Sequence, residues 1–347
     1  MKALMYTAPK TLELTKVPMP VPGEGEVLLK VMACAICGSD VHGWHGTNGR
    51  RTPPVVMGHE LSARVEELGA GCAGLGVGDY VAVQPCLSCF ECAVCKAGKT
   101  NICQDRRVMG VFSNNGGMQE YVVLPAKHCF PLPDGTDYRA GALAEPFAVS
   151  YSAVKKGGDL RGKNVLIVGG GTIGLMALLA AKLQEPRAVV LSDLSQARLA
   201  IAADLGADAT INPAEGGFDE KLAAAFGGSK ADVTVEAVGA SATVNQAVSA
   251  TAPGGTCIWI GNDKQMIDVN MQYIVTQEIS VRGTYMFTHA EFGEAVALLP
   301  GLDLRVFIGN EVGLGEAADA FGKIAGDPDN NLKCIIDFAK QEGMSDV

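Results

Sequence analysis

Six residues, Gly169-Gly170-Gly171-Thr172-Ile173-Gly174, constrain the fold of this chain more than any other segment. They follow the apolar run Asn164-Val165-Leu166-Ile167-Val168 and open the Ala/Leu-rich run Ile173–Ala181. A strand that turns into a helix through G-x-G-x-x-G has the form of a dinucleotide-binding turn. Gly169 makes the tight turn, Gly171 lets a pyrophosphate approach the backbone, and Gly174 lets helix pack on strand. Phosphate then rests on the helix N-terminus, near the N–H groups of Thr172 and Ile173 and the positive end of the dipole. In a chain with 43 glycines the pattern alone is weak, and an ordinary β–α connection is the competing reading. The flanking strand and helix give the pattern its weight.

The same rhythm continues beyond the turn. Ala188–Asp193 reads as a strand, a helix runs from about Ser195 to Leu205, and Val233–Val235 and Cys257–Ile260 are further strands. Alternating apolar strands and helices predict a doubly wound parallel sheet covered on both faces. Val238 falls at a strand-to-loop junction on the carboxyl edge of that sheet, where a cofactor would lie. Asp193 lies nineteen residues beyond Gly174, at the end of the next strand. A carboxylate there accepts from both ribose hydroxyls and repels a 2′-phosphate, which favours NAD over NADP; an ordinary helix N-cap is the alternative. Arg198 reads as a cover for the adenine or an ion-pair partner rather than a phosphate ligand.

Up to about residue 135 the chain is Gly- and Pro-rich with short alternating runs. Val27–Val31, Tyr80–Val83 and Glu120–Leu124 read as strands of a small barrel. Asn331–Phe338 looks like a final strand, in a tail expected to return to this first domain. The formal charge of −10 argues against nucleic acid or an anionic membrane as partner. No signal peptide and no membrane-spanning run is visible, so the expected location is cytoplasmic.

Eleven cysteines without a secretory signal point to metal rather than disulfides. Cys89-x2-Cys92-x2-Cys95-x7-Cys103 can close a tetrahedral zinc shell, a structural site; a register shifted to start at Cys86 and end at Cys95 is the alternative. A second constellation combines Cys37, His59, Glu60 and Glu145, a donor set suited to a catalytic zinc with one position left for water or substrate. Taken singly, each has a bland reading as core residue, strand carboxylate or helix cap. Their coexistence with a nicotinamide site lifts them, because zinc acidifies a bound alcohol. Ser39 and His42 are placed to carry its proton outward, and Asp40 to orient a ligand.

The motifs Ala35-Ile36-Cys37-Gly38-Ser39-Asp40-Val41-His42, Gly58-His59-Glu60, the Cys89–Cys103 cluster, Gly116–Tyr121 and Val168–Gly174 occur here in the order seen in the zinc-dependent medium-chain dehydrogenases, which the whole chain resembles. It is most similar to the polyol branch, because Ala144-Glu145-Pro146 carries glutamate where liver-type alcohol dehydrogenases carry a ligand cysteine. The resemblance implies Cys37 and His59 as zinc ligands, Glu60 as a direct or exchangeable ligand, and Glu145 on the zinc or its water. It implies an α/β two-domain fold: a GroES-like β-barrel catalytic domain over 1–148 and 284–347, and an NAD-binding Rossmann domain over 149–283. Kinship also implies a homo-oligomer, dimer or tetramer. Two departures stand out: Met286 replaces a substrate-gripping arginine, and Gly43 replaces a tyrosine. Both read as loss of polar grip and gain of space or apolar lining, and no basic pair is evident for a sugar phosphate.

The resulting expectation is an enzyme with NAD and two zinc ions per subunit that interconverts a secondary alcohol, a polyol or vicinal diol, with its ketone. The rivals are an L-threonine or amino-alcohol dehydrogenase and a non-catalytic NAD-binding protein.

Overall fold

A computed structural model describes residues 1–47, 49–112, 114–327 and 332–341. The chain divides into two compact units, Met1–Glu145 with Thr288–Val347, and Pro146–Phe287. The helix Ala144–Lys155 runs through the first division point, so no turn marks it in the sequence. At the second, Thr284 N–H still donates to the Trp259 carbonyl at 3.0 Å, which keeps it with the second unit.

In the second unit six parallel strands lie in the order Ala209–Ile211, Ala188–Ser192, Asn164–Val168, Ala231–Glu236, Thr251–Trp259 and Ser280–Gly283 among the described residues. Asn164–Val168 and Ala188–Ser192 are buried at every residue, as strands covered on both faces must be. Strand order reverses between Asn164–Val168 and Ala231–Glu236, and the crevice at such a switch point is where doubly wound sheets bind ligands.

In the first unit the strand Glu26–Ala35 is the axis. One edge pairs antiparallel with Glu60–Leu68; the other pairs with Tyr121–Pro125 and then with Lys333–Asp337. Apolar residues from these strands, among them Leu29, Val31, Leu61, Val65, Val122 and Ile336, form one buried core. The expected last strand is present as Lys333–Asp337; Asn331 lies outside the described residues. Register places the chemistry: Ala35 pairs with both Glu60 and Ile335, so Cys37, Glu60 and Lys333 meet at the carboxyl end of the central strand. Among the described residues no helix is long and apolar enough to cross a membrane.

Candidate metal and cofactor sites

Cys37, His59 and Glu60 each offer a ligand atom, and these atoms lie within 4.8 Å of one another. Cys37 precedes the helix Gly38–Trp44, whose buried Asp40 reaches back to accept the Cys37 N–H at Oδ2, 3.3 Å away. The other oxygen of Asp40 lies 3.5 Å from His59 Nδ1. An imidazole that faces a carboxylate through Nδ1 presents Nε2 as its lone-pair donor, the usual support for a metal-bound histidine. Burial would lower the His59 imidazole, yet Asp40 and Cys37 beside it raise it well above the ordinary histidine value. A proton or a divalent cation answers the same concentration of negative charge, so the residues fit a zinc ion.

Glu145 is buried next to this group but is not one of the mutually close trio. Burial, reinforced by Glu60 and Asp40, pushes its carboxyl up to about 7. Glu60 is engaged elsewhere, with both oxygens on the buried ammonium of Lys333. Ser39 is half-buried, and His42, three residues along the same helix, is exposed. Residues three apart share a helix face, so the pair leads from the site toward solvent.

Two site residues escaped the sequence reading, Arg51 and Lys333. Arg51 donates through Nη2 to Asp40 Oδ1 at 2.7 Å and to Ser39 Oγ at 3.2 Å. The expectation that Gly43 adds space is corrected here. A Cβ on Gly43 would collide with the Arg51 stem, so the room is filled by a cation. The sequence signal for Lys333 was a charge opening the apolar run Cys334-Ile335-Ile336, where burial demands a partner.

Cys89, Cys92, Cys95 and Cys103 form the second donor group, again within 4.8 Å of one another. Cys86 stands outside it, buried, with its thiol toward the Asn101 carbonyl. Backbone N–H groups converge on the sulfurs: Glu91 and Cys92 donate to Cys89, and Cys95 donates to Cys92, all at 3.4 Å. The N–H groups of Gln104 and Cys95 bring the Cys92 thiol down to about 6, while burial pushes Cys95 up to about 12. Four thiols, with no other donor grouped with them among the described residues, suit a closed zinc site that holds a loop.

In the second unit, Gly169 takes φ +104° and Gly171 opens the helix Thr172–Lys182. A Cβ on Gly174 would strike the Gly169 carbonyl, which makes glycine obligatory for this strand-to-helix packing. Asp193 closes over the turn: Oδ2 accepts the Gly170 N–H at 2.6 Å and Oδ1 the Ser195 N–H at 2.8 Å. Arg198 Nη1 lies 4.0 Å from Asp193, an ion-pair geometry. Val238 is exposed, and its Cγ2 lies 2.6 Å from where a Cβ on Gly169 would be.

Two family descriptions match the chain, "Alcohol dehydrogenase GroES-like domain" over residues 23–134 and "Zinc-binding dehydrogenase" over residues 172–300. The sheep (Ovis aries) sorbitol dehydrogenase is 33% identical over 92% of this chain and 92% of its own. The chain belongs to the zinc-binding dehydrogenases. The Escherichia coli L-galactonate-5-dehydrogenase is 35% identical over 86% of this chain and 87% of that one. The Pyrococcus furiosus L-threonine 3-dehydrogenase is 35% identical over 82% of each. Among solved structures, an Escherichia coli alcohol dehydrogenase complexed with NADH superposes with TM-score 0.91 at 28% identity, covering 97% of this chain and 99% of that one. A Sinorhizobium meliloti protein described as a zinc-binding dehydrogenase, bound to NADP, gives TM-score 0.89 at 30% identity, covering 97% and 98%. The two units are thus a GroES-like and a Rossmann-like domain, and the protein is an oxidoreductase acting on CH–OH groups.

Proposed function

We propose that this zinc-binding dehydrogenase oxidises a secondary hydroxyl of a polyol or vicinal diol to the ketone with NAD, and runs the reverse reduction. The observation that carries the reading is the thiol–imidazole–carboxylate trio of Cys37, His59 and Glu60, backed by Asp40. When bound, zinc would acidify a hydroxyl and NAD would accept the hydride from the carbon that bears it. Cys37 and His59 hold the metal, and Glu145, whose carboxyl exchanges protons near neutrality, supplies the carboxylate directly or through water. Glu60 exchanges with it only by leaving Lys333. Ser39 takes the substrate proton at Oγ, and exposed His42 delivers it to solvent.

Asp193 supports the choice of NAD. Its carboxylate already anchors the turn, and its spare lone pairs suit ribose hydroxyls and oppose a 2′-phosphate. Thr172 and Ile173 provide the helix N-terminus for the pyrophosphate, and Val238 lines the nicotinamide side. The four-thiol loop is the second zinc site, giving two ions per subunit. Both groups need reduced thiols, in keeping with a cytoplasmic protein. A homo-oligomer, dimer or tetramer, is the companion reading, supported by the exposed Met271 and Val275.

The test is NAD and NADP reduction with sorbitol, galactitol, L-galactonate, butane-2,3-diol and L-threonine. Turnover of a polyol or diol with NAD is expected. Turnover of L-threonine alone, or preference for NADP, overturns the reading, and Cys37→Ala with intact activity removes the metal role.

A further inference from the structure

We propose that Arg51 is a positioning residue for the proton path, and that Gly43 is the residue that admits it. Arg51 is 6% exposed and comes from the loop between the helix Gly38–Trp44 and the strand Val55–Val56. Its backbone neighbours fix that loop: Phe112 N–H donates to the Arg50 carbonyl at 2.7 Å, and Thr52 N–H to the Phe112 carbonyl at 3.4 Å. The side chain then crosses the helix at buried Gly43. A Cβ there would overlap Arg51 Cγ and lie 3.3 Å from its Cβ and 3.4 Å from its Cδ. Any other residue at 43 therefore displaces the arginine.

Arginine frequently takes a carboxylate in a two-pronged grip. Arg51 does not. One nitrogen, Nη2, divides its hydrogens between Asp40 Oδ1 and Ser39 Oγ, and buried Nε has no partner among the described residues. The guanidinium has five donors, no acceptor and a permanent charge. By donating to Ser39 it occupies a lone pair of the hydroxyl, so the serine's own hydrogen must point to a different acceptor. By donating to Asp40 it offsets a fully buried carboxylate that also receives the Cys37 N–H and faces His59. One side chain thus orders the hydroxyl and the group that orients the histidine.

The inference rests on Ser39 lying on the proton path, so the test separates the two. Arg51→Met, Arg51→Lys, Gly43→Ala, the Gly43→Ala/Arg51→Met double variant and Ser39→Ala are assayed for NAD reduction with the fastest substrate of the panel above. Zinc content and Tm are measured alongside. Arg51→Met is expected to lower kcat about 10- to 100-fold, the usual effect of an outer partner. KM stays within about twofold, zinc content is unchanged, and the solvent deuterium isotope effect on kcat rises as proton transfer becomes limiting. Gly43→Ala reproduces the loss, the double variant is no worse than the poorer single one, and Arg51→Lys recovers part of kcat.

Parental kcat in Arg51→Met with a slow Ser39→Ala overturns this inference alone. Parental kcat in Ser39→Ala overturns the proton path and this inference with it. A raised KM at unchanged kcat makes Arg51 a substrate-holding group and also overturns it. Should Arg51→Met lose zinc or fold, Gly43→Ala and Arg51→Lys decide by the same criteria.

Discussion

Lys333 Nζ lies 2.5 and 2.6 Å from the two carboxylate oxygens of Glu60, across 273 residues of chain, with both side chains buried. Burial would lower the lysine ammonium, but Glu60, with help from Cys37 and Glu145, raises it above the ordinary value. The pair holds a carboxylate beside the candidate metal donors Cys37 and His59. Removing the lysine leaves an uncompensated buried charge, which costs about 3–5 kcal/mol. Lys333→Met is expected to lose about that much in urea unfolding, and Glu60→Gln/Lys333→Met to regain most of it. A loss below about 1 kcal/mol would show the pair to be solvated.

Glu145 gives the zinc-stripped protein a characteristic pH response. Its folded carboxyl titrates near 7 against an ordinary 4.5, mainly through burial. A raised acid means the folded state binds more protons between those values, so its contribution to stability falls as pH rises from about 4.5 through 7. Glu145→Gln removes that titration. In chelator, its Tm should match the parent near pH 4.5 and exceed it at pH 8. Parallel Tm profiles for the two proteins would refute the assignment.

Zinc content separates the two donor groups. The parent should bind two ions per chain, and Cys103→Ser and Cys37→Ser one each. Only Cys103→Ser should lower Tm strongly, because the four-thiol loop has no chemistry to lose and only structure. A loss of at least about 2 kcal/mol corresponds to a fall of about 4–8 °C in a unit of this size. Metal analysis with differential scanning calorimetry reads both quantities, and equal Tm losses would contradict the division of roles.

Asp193 is the proposed determinant of coenzyme choice. Asp193→Ser keeps an oxygen for the Gly170 and Ser195 N–H groups but removes the charge that opposes a 2′-phosphate. The NAD-to-NADP ratio of kcat/KM should fall at least about tenfold, a discrimination of about 1.4 kcal/mol. An unchanged ratio would return Asp193 to a purely structural cap.

The features legible from sequence were those encoded within a short stretch of chain. Gly169, Gly171 and Gly174 belong to one turn, and Cys89, Cys92, Cys95 and Cys103 to one loop, so spacing alone carried their geometry. Cys37 and His59 sit either side of one connection and were legible as a pair. Lys333 and Arg51 were not, because a charge at the start of a strand or in a loop ordinarily faces water. Only strand pairing brings Lys333 to Glu60, and only the missing Cβ at Gly43 lets Arg51 reach Ser39. Gly43 was misread for the same reason: an absent side chain shows a gap, not what fills it.

The Lys333–Asp337 strand has a consequence for biosynthesis. Pro146–Phe287 is one uninterrupted stretch, so it can close its core during translation as soon as it leaves the ribosome. The other unit emerges first yet must wait, with its central strand lacking a neighbour and Glu60 lacking its counter-charge until Lys333 arrives. Order of synthesis and order of completion are therefore inverted, and a chain stalled before residue 333 would carry a finished coenzyme fold beside an unfinished metal centre.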